Sequence, residues 1–181
     1  MEQFSIQDHS ENMFAFNGID KSQLDTNGRI KLSPRILGDF AKSGNNVVLH
    51  CLPEGALAVY PEEIFLQMRN EKSDAARRAA NSLLFRRELR RFNAWSTPAV
   101  ISPQGRITIP GEYREFAALA VSENVMVVGV EIGVEIWNCE RWKQEQECVM
   151  NHAVEKGENE MIGDLNSPLC NCNPPEGRSS L

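Results

Sequence analysis

The chain has no apolar run long enough to cross a membrane and no ordered set of cysteines. Its 181 residues include five cysteines at irregular spacing, which does not suit the disulfide framework of a small secreted domain. A membrane-spanning helix needs about 20 consecutive apolar residues, and no stretch approaches that length. The first residues are acidic and polar, unlike a signal peptide. We therefore expect a cytoplasmic protein that makes no contact with a membrane.

Signals of catalysis and of metal or cofactor binding are also scarce. The three histidines are scattered at positions 9, 50 and 152, and no glycine-rich phosphate loop occurs. Cys170 and Cys172 are separated by one residue, which is not the spacing of a zinc knuckle, so we interpret them as part of an inert tail. His50 falls in a predicted strand, where a core histidine is commoner than a catalytic one. We expect no enzyme, cofactor, metal or small-molecule substrate.

The chain is acidic as a whole, with a formal net charge of −6, but its charge is unevenly distributed. Residues 69–91 contain eight basic and three acidic residues, and such a local patch can steer binding despite the acidic total. The densest part is the Arg86–Arg91 cluster, whose arginines recur at helical i, i+4 spacing. This cluster suits either direct contact with DNA or a solvated or intersubunit helix face, and we favour the second interpretation.

The chain does contain one sequence motif that occurs twice, at an offset of 77 residues. Residues 24–32 and 101–109 each place a Gly-Arg pair after a tight turn and continue into an alternating strand. Residues 57–65 and 134–142 align at the same offset. Self-similarity at a fixed offset indicates duplicated structural units. With two copies, a pseudo-symmetric domain is favoured over a solenoid.

Each copy encodes the same turn. Asp25 and Gly28 suit the first and fourth positions of a type I turn, and Ser102 and Gly105 occupy the equivalent positions of the second copy. A glycine at the exit permits a left-handed backbone angle, so the chain re-enters a strand through a bulge. We therefore predict that these four residues form the two turns.

Alternation along the following strand predicts which side chains face solvent. Ile30 of the first copy points inward, so Arg29 and Lys31 point outward. By the same rule Arg106 and Thr108 of the second copy point outward. Each repeat thus presents one arginine at the base of its turn.

Two interpretations of these arginines stay open at this point. An arginine fork can grip a phosphate or a guanine edge with two hydrogen bonds. Alternatively, each arginine braces its turn through a carboxylate. Asp25 offers such a partner to Arg29, whereas Ser102 offers none to Arg106.

The rest of the chain contains recognisable helices and strands. Residues 74–92 predict one long helix with Asp74 as its cap and an apolar stripe that includes Leu83, Leu84 and Phe85. Strand pairs are predicted at 47–52 with 56–60 and at 125–128 with 134–137, and a helix is predicted from Cys139 to about His152. Residues 96–98 are interpreted as the end of the basic segment, and the sequence beyond Glu155 as a disordered tail.

At the two Gly-Arg turns the chain resembles MraZ, a family of bacterial transcriptional regulators with two AbrB-like swapped-hairpin (SpoVT-AbrB) repeats. The family marker is Asp-x-x-Gly-Arg in each repeat. The first copy matches it fully through Asp25, Gly28 and Arg29, and the second matches at Gly105 and Arg106 but has Ser102 in place of aspartate. This loss is expected to loosen the support of Arg106. The resemblance covers roughly residues 12–150.

The resemblance implies an α+β fold in which a pseudo-two-fold β-barrel of two AbrB-like repeats is flanked by helices. The corresponding boundaries are 12–66 and 98–153 for the repeats, 67–97 for the basic connecting segment and 154–181 for the tail.

The resemblance also implies function. The implied protein is a ring-shaped homo-oligomer that is associated with the nucleoid. It binds repeated double-stranded DNA elements upstream of the division and cell-wall gene cluster. Arg29 and Arg106 become the expected DNA contacts, with Lys31 as their neighbour. The alternative is a protein-interaction or antitoxin-like module whose exposed arginines contact a protein partner.

Overall fold

The computed structural model describes residues 15–70 and 75–156. The predictions made for Asp74, for Cys170 and Cys172 and for the tail lie outside the described residues. Contacts divide the chain into two units, the first ending at Cys139 and the second beginning at Glu140. Each unit is described by itself below.

The described residues of the first unit form eight strands and five helices, and a sixth helix begins at its end. The strands are β1 Ile19–Gln23, β2 Arg29–Lys31, β3 Asn46–Cys51, β4 Leu57–Pro61, β5 Ser96–Val100, β6 Arg106–Thr108, β7 Asn124–Gly129 and β8 Val134–Asn138. The helices are α1 Pro34–Ser43, α2 Glu62–Asn70, α3 Ala75–Asn81, α4 Leu83–Ala94, α5 Gly111–Phe116 and α6 Cys139–Lys156. The α+β class predicted from the sequence is confirmed.

Within the part of the chain that the structure describes, all strand pairings are antiparallel and form two sheets. Six strands are arranged in the order β1-β7-β8-β4-β3-β5, and β2 pairs with β6 in a separate two-stranded ribbon. Strands β1 and β5 lie at the two edges of the larger sheet, so the hydrogen-bonded pairing of the described strands is open and does not form a closed barrel. The predicted strand pairs β3 with β4 and β7 with β8 are confirmed.

The 77-residue offset of the sequence recurs in the strand pairings. Strand β1 of the first copy pairs with β7 of the second, and β5 of the second copy pairs with β3 of the first. The two central contacts are made between equivalent strands, β2 with β6 and β4 with β8. Ile30 opposes Ile107, its equivalent, at the middle of the ribbon. The two copies therefore interleave, and neither completes its own sheet.

One large hydrophobic core lies beneath both sheets. It takes its side chains from both copies, and the fully enclosed members include Leu24, Ile30, Phe40, Ile107 and Ile136. The alternation along the ribbon is the predicted one, because the middle residue of each three-residue strand is buried and its two neighbours are exposed. Burial of this apolar surface supplies the main favourable term in folding.

The basic connecting segment differs from its prediction. The single helix expected over residues 74–92 is two helices, α3 and α4, separated at Ser82. Ser82 has an extended backbone, and its hydroxyl accepts a hydrogen bond from the Phe85 N–H at 3.2 Å, which is the geometry of a helix N-cap. The predicted apolar stripe was also wrong in part, because Leu83 and Leu84 are 51% and 70% exposed whereas Phe85 is buried.

Two edge strands were not recognised in the sequence. Strand β1 has mixed polarity, and residues 96–98, interpreted as the end of the basic segment, belong to strand β5. Pro98 lies in β5 opposite Val48. Because β5 is an edge strand, its outer side has no partner strand among those described. The missing N–H of proline is therefore tolerated there.

The second unit begins inside helix α6, whose start at Cys139 was predicted and which extends to Lys156. Lys143 and Glu140 form an exposed ion pair of 2.8 Å on its first turns. Among the residues that the structure describes, no helix is both long enough and apolar enough to span a membrane.

Candidate functional site

The ribbon of β2 and β6 brings the two repeated Gly-Arg motifs together. Arg29 opposes Thr108 and Lys31 opposes Arg106. Two backbone hydrogen bonds extend this pairing symmetrically, from the Leu32 N–H to the Gly105 carbonyl at 3.0 Å and from the Ile109 N–H to the Gly28 carbonyl at 2.9 Å. Two motifs that are 77 residues apart in the sequence thus each supply one strand of the same antiparallel pair.

The two turns have the same backbone geometry. The N–H of Gly28 donates to the Asp25 carbonyl at 3.0 Å, and the N–H of Gly105 donates to the Ser102 carbonyl at 2.8 Å. Both glycines have left-handed backbone angles, with φ of +71° and +74°, which L residues with a side chain rarely adopt. These hydrogen bonds and glycine angles are those expected of a type I turn with a glycine at its exit.

The side chains that cap the turns act on backbone groups. The Asp25 carboxylate accepts hydrogen bonds from the N–H groups of Asn27 at 2.9 Å and Arg29 at 2.8 Å. The Ser102 hydroxyl accepts one from the Arg106 N–H at 3.1 Å. Serine therefore replaces aspartate in the second turn without loss of the cap, and the expected loosening at Arg106 is not seen in its backbone.

This difference predicts unequal effects of removing the two caps. Asp25→Ala removes two charge-assisted hydrogen bonds and is expected to lower the free energy of unfolding by about 2 kcal/mol. Ser102→Ala removes one neutral bond and is expected to cost about 1 kcal/mol. Urea denaturation of both variants measures these values, with Ser102→Asp as the control that keeps a cap. Equal losses in the two alanine variants would contradict this account.

The exposed face of the ribbon is cationic. Arg29, Lys31, Arg106 and Thr108 are all exposed and lie on the face opposite Ile30 and Ile107. Among residues 15–70 and 75–156, no ion pair involves any of these three cations. The bracing interpretation for Arg29 is thereby weakened, because the Asp25 carboxylate binds backbone N–H groups.

Each turn is covered by a side chain from the other repeat, which the sequence alone did not reveal. Leu37 of α1 lies against Gly105, and Arg114 of α5 lies against Gly28. These two positions are also 77 residues apart. Arg114 donates from Nε to the Ile109 carbonyl at 3.1 Å. The repeat offset, applied to helix positions as well as to strands, is the signal that would have paired them.

Five arginines of helices α3 and α4 divide into two groups. Arg78 lies 4.1 Å from the ring centroid of Phe85, and Arg86 donates to the Ala79 carbonyl at 2.6 Å. These two side chains stabilise the junction between α3 and α4. The arginines at positions 87, 90 and 91 are exposed. The part of the cluster at Arg86 therefore has a structural role.

His50 and Cys51 are neighbouring buried residues of strand β3 in the larger sheet. His50 is buried beside Phe92, with 4.7 Å between ring centroids, and its Nδ1 lies 2.8 Å from the Ser96 hydroxyl. The expectation of a core histidine is confirmed. Burial raises the pKa of the Cys51 thiol to about 11, so this side chain is a neutral thiol at pH 7. Within the described residues no cluster of three metal-binding side chains occurs.

These features define a duplicated α+β protein whose two copies exchange strands and present a cationic two-stranded ribbon. The family model described as "MraZ protein, putative antitoxin-like" matches residues 101–165. A relative from Corynebacterium kroppenstedtii, named Transcriptional regulator MraZ, is 30% identical over 131 residues, 72% of this chain and 86% of the relative. The chain belongs to the MraZ family.

Two further relatives carry the same name. The Moorella thermoacetica protein is 30% identical over 129 residues, which cover 71% of this chain and 85% of that protein. The Mycobacterium tuberculosis protein is 27% identical over 150 residues, 83% of this chain and 99% of its own length. The similarity thus extends over most of the chain, and the resemblance to the MraZ family is confirmed.

Proposed function

We propose that this chain is a transcriptional regulator that binds double-stranded DNA through the exposed face of the β2–β6 ribbon. The observation that carries the proposal is the placement of Arg29, Lys31 and Arg106 on one exposed face, outside any ion pair of the described residues. The major groove of B-DNA is about 12 Å wide and admits a two-stranded ribbon. The name shared by its relatives supports the regulatory role.

The finer features of the proposal concern architecture and location. The exchange of β1 and β5 between copies supports a pseudo-two-fold barrel of two AbrB-like repeats, in which the β2–β6 ribbon, packed beside edge strands β1 and β5, complements the open larger sheet. We further propose a ring-shaped homo-oligomer in the cytoplasm, bound to the nucleoid at repeated elements upstream of the division and cell-wall genes. One ribbon makes few phosphate contacts, so adjacent subunits on tandem elements would gain affinity through effective concentration.

Fluorescence anisotropy with a duplex from the protein's own upstream region tests the DNA contact. Each phosphate contact contributes about −0.9 to the slope of log affinity against log salt, so a ribbon that neutralises one to three phosphates predicts a slope between about −1 and −3. The double variant Arg29→Ala/Arg106→Ala is expected to lose at least about tenfold in affinity. Arg90→Ala, which removes an exposed arginine from helix α4, is the matched control.

The affinities of these variants distinguish DNA binding by the ribbon from DNA binding by helix α4. Equal losses in the double variant and in Arg90→Ala would show that the ribbon has no special part in binding. Wild-type affinity in the double variant, with an unchanged circular dichroism spectrum and thermal midpoint, would overturn the arginine assignment.

A second candidate function is a protein-interaction module, which the antitoxin-like description of the matching family favours. In that case the exposed arginines would bind acidic groups of a protein partner. Affinity for a co-expressed neighbouring gene product, lost in Arg29→Ala/Arg106→Ala, together with no salt-dependent affinity for DNA, would support this candidate over the first.

A further inference from the structure

The exposed face of the ribbon is not symmetric, although its backbone is. The 77-residue offset makes Arg29 equivalent to Arg106 and Lys31 equivalent to Thr108. Two copies of the first repeat would therefore place a cation at each of the four exposed positions. The chain has three cations, and Thr108 occupies the fourth position.

The asymmetry creates two unlike cross-strand pairs. Lys31 and Arg106 are directly opposite, and their Cβ atoms are expected to be about 5 Å apart. Like charges in this arrangement are destabilising. Within the described residues neither cation has an ion pair to relieve the repulsion. An anion held between them would do so.

The surroundings of Lys31 leave its charge available. Lys31 borders a cleft of about 270 Å³ that is also lined by Lys21 and Asp20. The Asp20 carboxylate accepts hydrogen bonds from the Arg35 guanidinium at 2.9 Å and from the Ser33 hydroxyl at 2.6 Å. Because Asp20 is already engaged, a phosphate is a better partner for Lys31 than this neighbouring carboxylate.

The other pair, Arg29 with Thr108, has no like-charge repulsion and a different chemistry. The backbone of Arg29 is held at its N–H by the Asp25 carboxylate, 2.8 Å away. An arginine fork matches the O6 and N7 acceptors of guanine, and a threonine can contact the methyl group of thymine or accept or donate through its hydroxyl. This pair is suited to base edges.

We propose that the two cross-strand pairs of the ribbon have different tasks. Lys31 and Arg106 clamp a backbone phosphate of double-stranded DNA, whereas Arg29 and Thr108 read base edges. The ribbon therefore recognises its element in one orientation, and Thr108 is a specificity-determining residue. This inference rests on the proposed function of the same face.

The test compares two duplexes by anisotropy at several salt concentrations, one with an upstream element and one with the same composition shuffled. Lys31→Gln, which keeps most of the aliphatic stem, is expected to weaken binding to both duplexes by the same factor and to reduce the magnitude of the salt slope by about one. Thr108→Ala is expected to leave the slope unchanged and to lower the affinity ratio of the two duplexes at least about fivefold.

Thr108→Lys supplies the charge that the second repeat lacks. It is expected to make the salt slope steeper by about one and to tighten binding to the shuffled duplex, so the affinity ratio falls. All three substitutions are at exposed positions, and thermal unfolding followed by circular dichroism verifies that each variant is folded.

Three results would overturn the inference. The first is a loss in Lys31→Gln that differs between the two duplexes, and the second is an unchanged affinity ratio in Thr108→Ala. In either case the wild-type protein still binds DNA, so the proposed function survives. The third is a wild-type protein that binds neither duplex in a salt-dependent way, which overturns the proposed function together with this inference.

Discussion

Replacing Gly129 with alanine is expected to lower the free energy of unfolding by about 3 kcal/mol, because the added methyl group has no space. Gly129 ends strand β7, and its N–H donates to the Gly18 carbonyl at 2.8 Å. A Cβ at this position would collide with the backbone carbonyl of Phe16 and the backbone nitrogen of Asn17. Backbone atoms cannot rotate away as the end of a side chain can, so strand or loop must shift.

Gly38 provides the matched control for this experiment. It lies within helix α1, and a Cβ built there has no heavy atom within 4 Å. Gly38→Ala is expected to stabilise the protein by about 0.5 kcal/mol, since alanine loses less conformational freedom in a helix than glycine. Urea denaturation of both variants measures the difference. Equal urea midpoints for the two variants would mean that the backbone at Phe16 shifts with little loss of stability.

Ile30→Ala and Ile107→Ala are each expected to cost about 3 kcal/mol. Both side chains are fully buried and oppose each other at the middle of the ribbon. Each substitution removes three heavy atoms from the core and leaves a cavity that the short ribbon closes only partly. For a chain of 181 residues such a loss corresponds to a fall of roughly 10 °C in Tm.

Ile19 in edge strand β1 is the control for the isoleucine substitutions, because its side chain is 48% exposed. Ile19→Ala is expected to change stability by less than about 1 kcal/mol. Since Ile30 and Ile107 lie opposite one another, the double variant is expected to deviate from the sum of the single losses. If Ile30→Ala costs no more than Ile19→Ala, the ribbon is not a stabilising contact between the repeats.

The elements most successfully predicted are those whose signal is local. The turns at Gly28 and Gly105 require left-handed backbone angles, and the exposed positions of Arg29 and Arg106 follow from alternation along three residues. The same is true of helix α6, whose start at Cys139 follows strand β8 directly. Each of these features is specified within one turn or a few residues of the chain.

The features that were missed depend on specific contacts that hydrophobic periodicity does not register. Strand β1 contains four polar residues among five, and it is a strand because β7 pairs with it. The break between α3 and α4 is made where Ser82 caps the second helix and Arg86 donates to carbonyls of the first. Helical periodicity continues across this break, so the periodicity by itself indicates one helix.

The sequence by itself determined that this protein is a duplication with two Gly-Arg turns, because turn geometry and side-chain alternation are local consequences of residue type. Only the tertiary structure decided that the turns belong to one ribbon, with Lys31 opposite Arg106 and Arg29 opposite Thr108. Strand partners are chosen by shared burial of Ile30 and Ile107 and by backbone hydrogen bonds. Nearly all residue types form the same backbone hydrogen bonds, so the sequence by itself does not indicate which strands pair.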